Sequence, residues 1–179
     1  MREQKTILLT LCLAFVFVGC SQMVEVKTDY DDEANFETYK TFDWLHTDTS
    51  SMNLSDKWAL ADQYIREAIT KEMKEKGITW DAASPDLIVA YTVGMKDKLG
   101  HVDFNVDYSV TQKNSEIYKT SGGVFVLDLV DAGSDHLVWR GEANAAMNVD
   151  PSPEIMQNNI NNMMNKLFRE YPPGAKPRR

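Results

Sequence analysis

From residue 24 onward the chain runs in short stretches of alternating apolar and polar side chains, interrupted twice by a helical pattern. Met23 to Tyr30 sets Val24, Val26, Thr28 and Tyr30 on one side and Glu25, Lys27 and Asp29 on the other, which predicts a half-buried strand. Asp31-Asp32-Glu33 reads as a loop, and Tyr39 to Trp44 as a second, shorter strand. Trp58, Ala61, Ile65, Ala68, Ile69 and Met73 then recur at helical spacing. Asn53 or Ser55 can cap that helix, with Asp56 in the first turn, where the helix dipole favours an acid. Gly77 followed by Ile78 predicts a left-handed stop.

Leu87 to Met95 is apolar on one face and partly apolar on the other, as expected of a strand inside the sheet. Val102, Phe104, Val106, Tyr108 and Val110 alternate with polar residues, predicting a strand wet on one side. Gly122-Gly123 introduces a strand to Asp131, and Leu137 to Met147 forms the last one. Ser152 as cap and Pro153 at the first helical position open a closing helix. Its predicted core stripe is Met156, Ile160, Met163, Leu167 and Tyr171. Asn158, Asn159, Asn161, Asn162 and Asn165 fill its wet side, a composition that helix propensity does not explain.

The order β-β-α-β-β-β-β-α, with no internal repeat, predicts one α+β domain over residues 24–171. The expected architecture is a two-layer sandwich: a largely antiparallel sheet of about six strands with two helices packed on one face. The last two strands fix a register. Phe125, Leu127 and Leu129 alternate, as do Leu137, Trp139 and Ala143, so both sets should face the helices. Setting Leu129 opposite Trp139 puts Val130 opposite Val138 and Asp128 opposite Arg140. Asp128 and Arg140 are then expected side by side on the face away from the helices. The loop shrinks to Gly133-Ser134-Asp135, although three-residue hairpins favour Gly at the third position.

Ahead of the domain, Ile7 to Val18 carries no charge and follows a short basic stretch with Arg2 and Lys5. As a helix that run spans roughly 18 Å, too short for a hydrocarbon core of about 30 Å. A cleaved signal peptide over residues 1–19 is the expectation. Phe17-Val18-Gly19-Cys20 resembles a lipobox, with Phe17 where Leu is usual. Cleavage is expected between Gly19 and Cys20, with Cys20 carrying diacylglycerol on its sulfur and an acyl chain such as palmitate on its freed amine. Each buried methylene contributes about 0.8 kcal/mol, so two or more chains give stable anchoring. Residues 20–23 form the lipidated end and a short tether. Ser21, Gln22 and Met23 reach about 10 Å when extended, so the domain is expected close to the bilayer. Ser21, rather than an Asp, follows the cysteine, which points to the outer membrane, facing the periplasm. Residues 172–179 read as a disordered basic tail.

The whole chain carries a formal net charge of −8. Losing Arg2, Lys5 and Glu3 with the leader makes that −9, a balance that repels nucleic-acid phosphates. Cys12 leaves with the leader and Cys20 is acylated, so disulfides, thiolate metal sites and a cysteine nucleophile are not expected. His46, His101 and His136 show no ligand spacing, and no Gly-x-Ser-x-Gly elbow accompanies them. Asp103 and Asp107 lie about 13 Å apart on a strand, beyond the separation of paired catalytic carboxylates. Asp31-Asp32-Glu33 does not match a calcium loop. No catalytic, cofactor or metal residues are assigned.

Three segments carry a resemblance: Tyr39-Lys40-Thr41-Phe42-Asp43-Trp44; Pro85-Asp86-Leu87-Ile88-Val89-Ala90-Tyr91; and Gly123 to Ala132 with Leu137-Val138-Trp139-Arg140-Gly141. In this order, behind a lipobox, they resemble family 4136 of the domains of unknown function (DUF4136). The resemblance implies a small bacterial envelope lipoprotein and supplies no activity, cofactor or ligand. Asp128, Asp131, Trp139, Arg140 and Gly141 are its structural signature. The expected function is a non-enzymatic binding or assembly module held at the membrane through Cys20. A carrier of a small apolar ligand is the alternative, and an envelope hydrolase a more distant one. The sequence leaves the oligomeric state and any envelope protein partner open.

Overall fold

In the computed structural model, the residues described are 24–45, 56–96, 102–103, 122–146 and 151–174. The strands are β1 (Glu25–Tyr30), β2 (Thr41–Trp44), β3 (Thr79–Trp80), β4 (Leu87–Lys96), β5 (Val102–Asp103), β6 (Gly122–Asp131) and β7 (Leu137–Ala146). Helix α1 (Asp56–Glu75) lies between β2 and β3, and α2 (Pro153–Phe168) follows β7. The strands form one mixed sheet in the order β1-β7-β6-β4-β2-β3, with β5 also on β4. The pairings β1–β7, β7–β6, β6–β4 and β4–β5 are antiparallel, whereas β2 runs parallel to β4 and to β3. The fold is therefore α+β, with the strand and helix order that the pattern predicts. Two-residue β3 is an addition, too short to leave a periodic signal.

Helix α1 buries Ile65, Ala68, Ile69 and Met73 on the predicted stripe. Its end is a Schellman motif: Gly77 takes φ +83°, Ile78 N–H donates to Met73 C=O at 3.0 Å, and Gly77 N–H donates to Lys74 C=O at 3.0 Å. Asn53 and Ser55 lie outside the described residues, as does most of the strand predicted from Val102 to Thr111. Helix α2 starts as predicted, with the Ser152 hydroxyl accepting the Ile155 N–H at 3.4 Å and Pro153 next to the cap. Its buried side is Ile160, Met164, Leu167 and Phe168, with Met156 and Met163 only partly covered. Of the predicted stripe, Ile160, Leu167 and Tyr171 are buried; Met164 and Phe168, each adjacent to a predicted member, join them, and Phe168 packs against Trp139.

One core holds the layers together. Phe42, Leu87, Val89, Leu127, Leu129 and Trp139 from the sheet meet Ile69, Met73, Met164 and Leu167 from the helices. Among the described residues, no helix is long and apolar enough to cross a membrane.

The β6–β7 register holds Leu129 opposite Trp139 and Asp128 opposite Arg140. One step further it breaks: Val130 pairs with Leu137 rather than Val138, and Val138 is the extra residue of a bulge. The bulge breaks the alternation. Val138 and Trp139 are both buried while Leu137, expected to face the helices, is 42% exposed. At the hairpin tip Asp135, third in the predicted loop, takes the left-handed conformation at φ +58° in place of a glycine.

Candidate functional site

The three family-like segments meet at one end of the sheet. Asp86, just before β4, accepts the main-chain N–H groups of Lys40 at 2.7 Å and Thr41 at 2.9 Å through Oδ2. In return, the Thr41 hydroxyl accepts the Asp86 N–H at 2.9 Å, and Ala132 N–H donates to Asp86 C=O at 2.9 Å. The carboxylate thus holds two successive main-chain N–H groups at the point where β2 opens. Asp131, at the end of β6, spends Oδ1 on the N–H groups of Gly133 and Ser134 and on the Ser134 hydroxyl. Its Oδ2 accepts the phenol of Tyr39 at 3.1 Å.

The electrostatics follow from these bonds. The Lys40 N–H, the largest influence, and the Thr41 groups hold the Asp86 carboxyl below the usual carboxylate range. The Ser134 hydroxyl and N–H do the same for Asp131. Tyr39 is pushed up to about 12, first by burial, then by its bond to Asp131 and by the charges of Asp131, Asp31 and Asp86. Asp31, Asp86 and Asp131 thus surround a neutral phenol; both oxygens of Asp131 and Oδ2 of Asp86 are committed to the backbone or to neighbouring side chains. No group of three or more potential metal ligands occurs among the described residues.

The Trp139-Arg140-Gly141 segment runs across the middle of β7. Trp139 is fully buried against Phe168 and Tyr171, with ring centroids 6.2 and 5.5 Å away. Its ring folds back over Gly141: a β-carbon there would lie 2.3 Å from Trp139 Cη2 and 2.8 Å from Leu167 Cδ2. Trp139 Nε1 and Tyr171 Oη are buried without a hydrogen-bond partner among the described residues. Arg140 points to the opposite face and grips Asp128 with both ends of its guanidinium, at 2.6 and 2.7 Å. That bond, foremost, raises the Arg140 pKa, with Asp29 and Glu142 adding to it.

Beside this segment lies an open cleft of about 390 Å³, bordered by Asp29, Tyr30, Asp31, His136, Leu137, Val138, Trp139 and Arg140. His136 is exposed at its rim. The other histidines, His46 and His101, lie outside the described residues, as do Gly19, Cys20 and Asp107. A second polar cluster, which the sequence pattern did not single out, sits on α1. Arg66 bonds Asp62 at 3.0 Å, Tyr91 Oη donates to Asp62, and the Arg66 guanidinium lies 4.7 Å from the centre of the Trp44 ring. The Asp62/Arg66 pair at helical spacing was readable; its aromatic partners come from strands distant in sequence.

Together these features define an α+β sandwich whose most constrained polar residues tie its segments to one another. The chain belongs to the family described as "Domain of unknown function (DUF4136)", whose profile matches residues 26–173. No curated protein matches the sequence. Among solved structures it is similar to a PDZ domain protein from Parabacteroides distasonis, with TM-score 0.55 and 18% identity. That match covers 88% of this chain and 38% of the other, so the chain spans well under half of that protein's length. It is also similar to a PelC dodecamer from Paraburkholderia phytofirmans, at TM-score 0.43 and 11% identity, covering 82% of this chain and 98% of that one.

Proposed function

We propose that the protein is a lipid-anchored module of the bacterial envelope, held at the outer membrane through Cys20 and acting by binding or assembly rather than by catalysis. The observation that carries the anchoring is position. β1 opens at Glu25, so the family-matched fold starts a few residues behind Gly19-Cys20 and the uncharged run Ile7 to Val18 before it. The non-catalytic part is supported by how the acids are used. Asp86 and Asp131 act as acceptors that fix turns and strand starts, and their lowered pKa values keep them ionised, unlike a poised general acid. The apolar-carrier reading gains no support from the described core, where Trp139, Met164, Leu167 and Phe168 fill the space between sheet and helices.

The test is Cys20→Ser in the native host. The expected result is an unlipidated precursor that keeps its leader, runs at higher mass and no longer reaches the outer-membrane fraction. A variant that matures to the wild-type mass and still fractionates with membranes overturns the anchoring. Crosslinking in intact cells followed by mass spectrometry then tests the binding role, with envelope proteins as the expected products.

A further inference from the structure

Among the described residues β1 has one neighbour in the sheet, β7, and its other edge is open. All of its residues except Val26 are exposed. The direction of its main chain can be read from the hydrogen bonds. Asp31 N–H donates to Val138 C=O at 3.0 Å, whereas Tyr30 N–H turns to the carboxylate of Asp29 at 3.0 Å. Because successive residues of a strand point their main-chain groups to opposite sides, Lys27 and Asp29 face β7. Val26, Thr28 and Tyr30 direct theirs to the open edge.

We propose that this edge docks a second copy of the chain, with the two β1 strands pairing antiparallel about Thr28 so that one sheet continues through both subunits. A two-fold axis normal to the sheet keeps each face on its own side, so only residues of equal parity can lie opposite one another. Centred on Lys27, the pairing sets Lys27 against the partner's Lys27 and Glu25 against the partner's Asp29, which is repulsive throughout. Centred on Thr28, it sets Lys27 against the partner's Asp29, and by symmetry the reverse. Val26 then lies against the partner's Tyr30 and gives cover to a ring that is 50% exposed in one copy.

The same register suits the backbone. Thr28 exchanges both N–H···O bonds with the partner's Thr28, and Val26 does so with the partner's Tyr30, all through groups that already face outward. It also suits the charges across the sheet. Asp128 lies opposite Arg140, Arg140 opposite Asp29, and Lys27 opposite Glu142. Pairing about Thr28 therefore builds a row of Asp128, Arg140, Asp29, the partner's Lys27 and the partner's Glu142, alternating in sign at every step. In the single copy Asp29 caps the Tyr30 N–H; in the pair it releases that N–H to the partner's Val26 and turns to the partner's Lys27. The proposal does not rest on the membrane anchor. Two anchored copies share one bilayer when the axis stands along its normal.

Strand-edge contacts of this length are small, so the expected dissociation constant is on the order of 10–100 µM, rising with salt. The test is sedimentation equilibrium of the full chain in detergent across that range. Lys27→Asp and Asp29→Lys are each expected to weaken dimerisation about tenfold by placing like charges opposite one another. Mixing the two variants is expected to restore it, since every opposing pair is then Asp against Lys. Thr28→Pro, which deletes an outward N–H and leaves the β7 ladder whole, is expected to abolish pairing while the circular dichroism spectrum is retained. A wild-type chain that stays monomeric throughout overturns the proposal. So does a dimer indifferent to both charge reversals, or an edge that crosslinks in cells only to a different protein.

Discussion

Gly141 shows how narrowly a single residue is specified. Leu127 lies opposite it on β6, and the Trp139 ring fills the space a side chain at 141 would take. Gly141→Ala therefore forces Trp139 or Leu167 to move within a packed core, and we expect a loss of about 1–3 kcal/mol in urea unfolding. Acid behaviour belongs to the same scale. Asp86 and Asp131 have folded pKa values below the unfolded reference of about 3.9. Their stabilisation is complete above that reference and is lost as pH falls through the depressed folded values. The expected outcome is that Asp86→Asn and Asp131→Asn each lower stability at neutral pH by about 1 kcal/mol while flattening its decline below pH ~4. Unfolding midpoints measured from neutral pH down to pH ~2 decide this, and an unchanged acid limb in both variants excludes the linkage.

At the scale of elements, the sequence revealed what periodicity encodes. The Asp128–Arg140 pairing followed from alternation once Leu129 was set opposite Trp139, because a one-residue slip would turn Leu127, Leu129 and Trp139 to the wet face. The bulge did not, since Leu137, Val138 and Trp139 are all apolar and alternation cannot say which is extra. Asp135 took the left-handed loop position through local geometry open to Asp as well as Gly. The parallel β2–β4 pairing and two-residue β3 depend on where distant segments land, which no local pattern records. The tie between Tyr39, Asp86 and Asp131 was hidden for the same reason: its members lie in three separate segments. Two predictions test the elements. A double-mutant cycle on Asp128 and Arg140 should give a coupling of only about 0.2–1 kcal/mol, because the guanidinium side is half exposed. Gly77→Ala should cost about 1 kcal/mol; with nothing within 4 Å of the added carbon, the cost is backbone conformation alone.

For the whole molecule, the decisive fact is that both helices and most of the sheet share one core centred on Trp139. Helix α2 covers Trp139 with Leu167 and Phe168 and packs against α1, so neither helix has a core of its own to keep. Folding should therefore be all-or-none, with urea transitions by far-ultraviolet circular dichroism and by tryptophan fluorescence superimposing. Removing the Trp139 side chain tests the dependence most directly. A large buried aromatic cut to alanine costs about 3–5 kcal/mol, while domains of this kind hold only about 5–15 kcal/mol in total. Trp139→Ala is thus expected to shift the single transition strongly toward lower urea without splitting it. A chain ending before Pro153 should show no cooperative transition, because it loses Ile160, Met164, Leu167 and Phe168 together. If that shortened chain still unfolds cooperatively, or if Trp139→Ala produces two separated transitions, the sheet has a core independent of α2. The molecule then divides into units that its shared packing does not suggest.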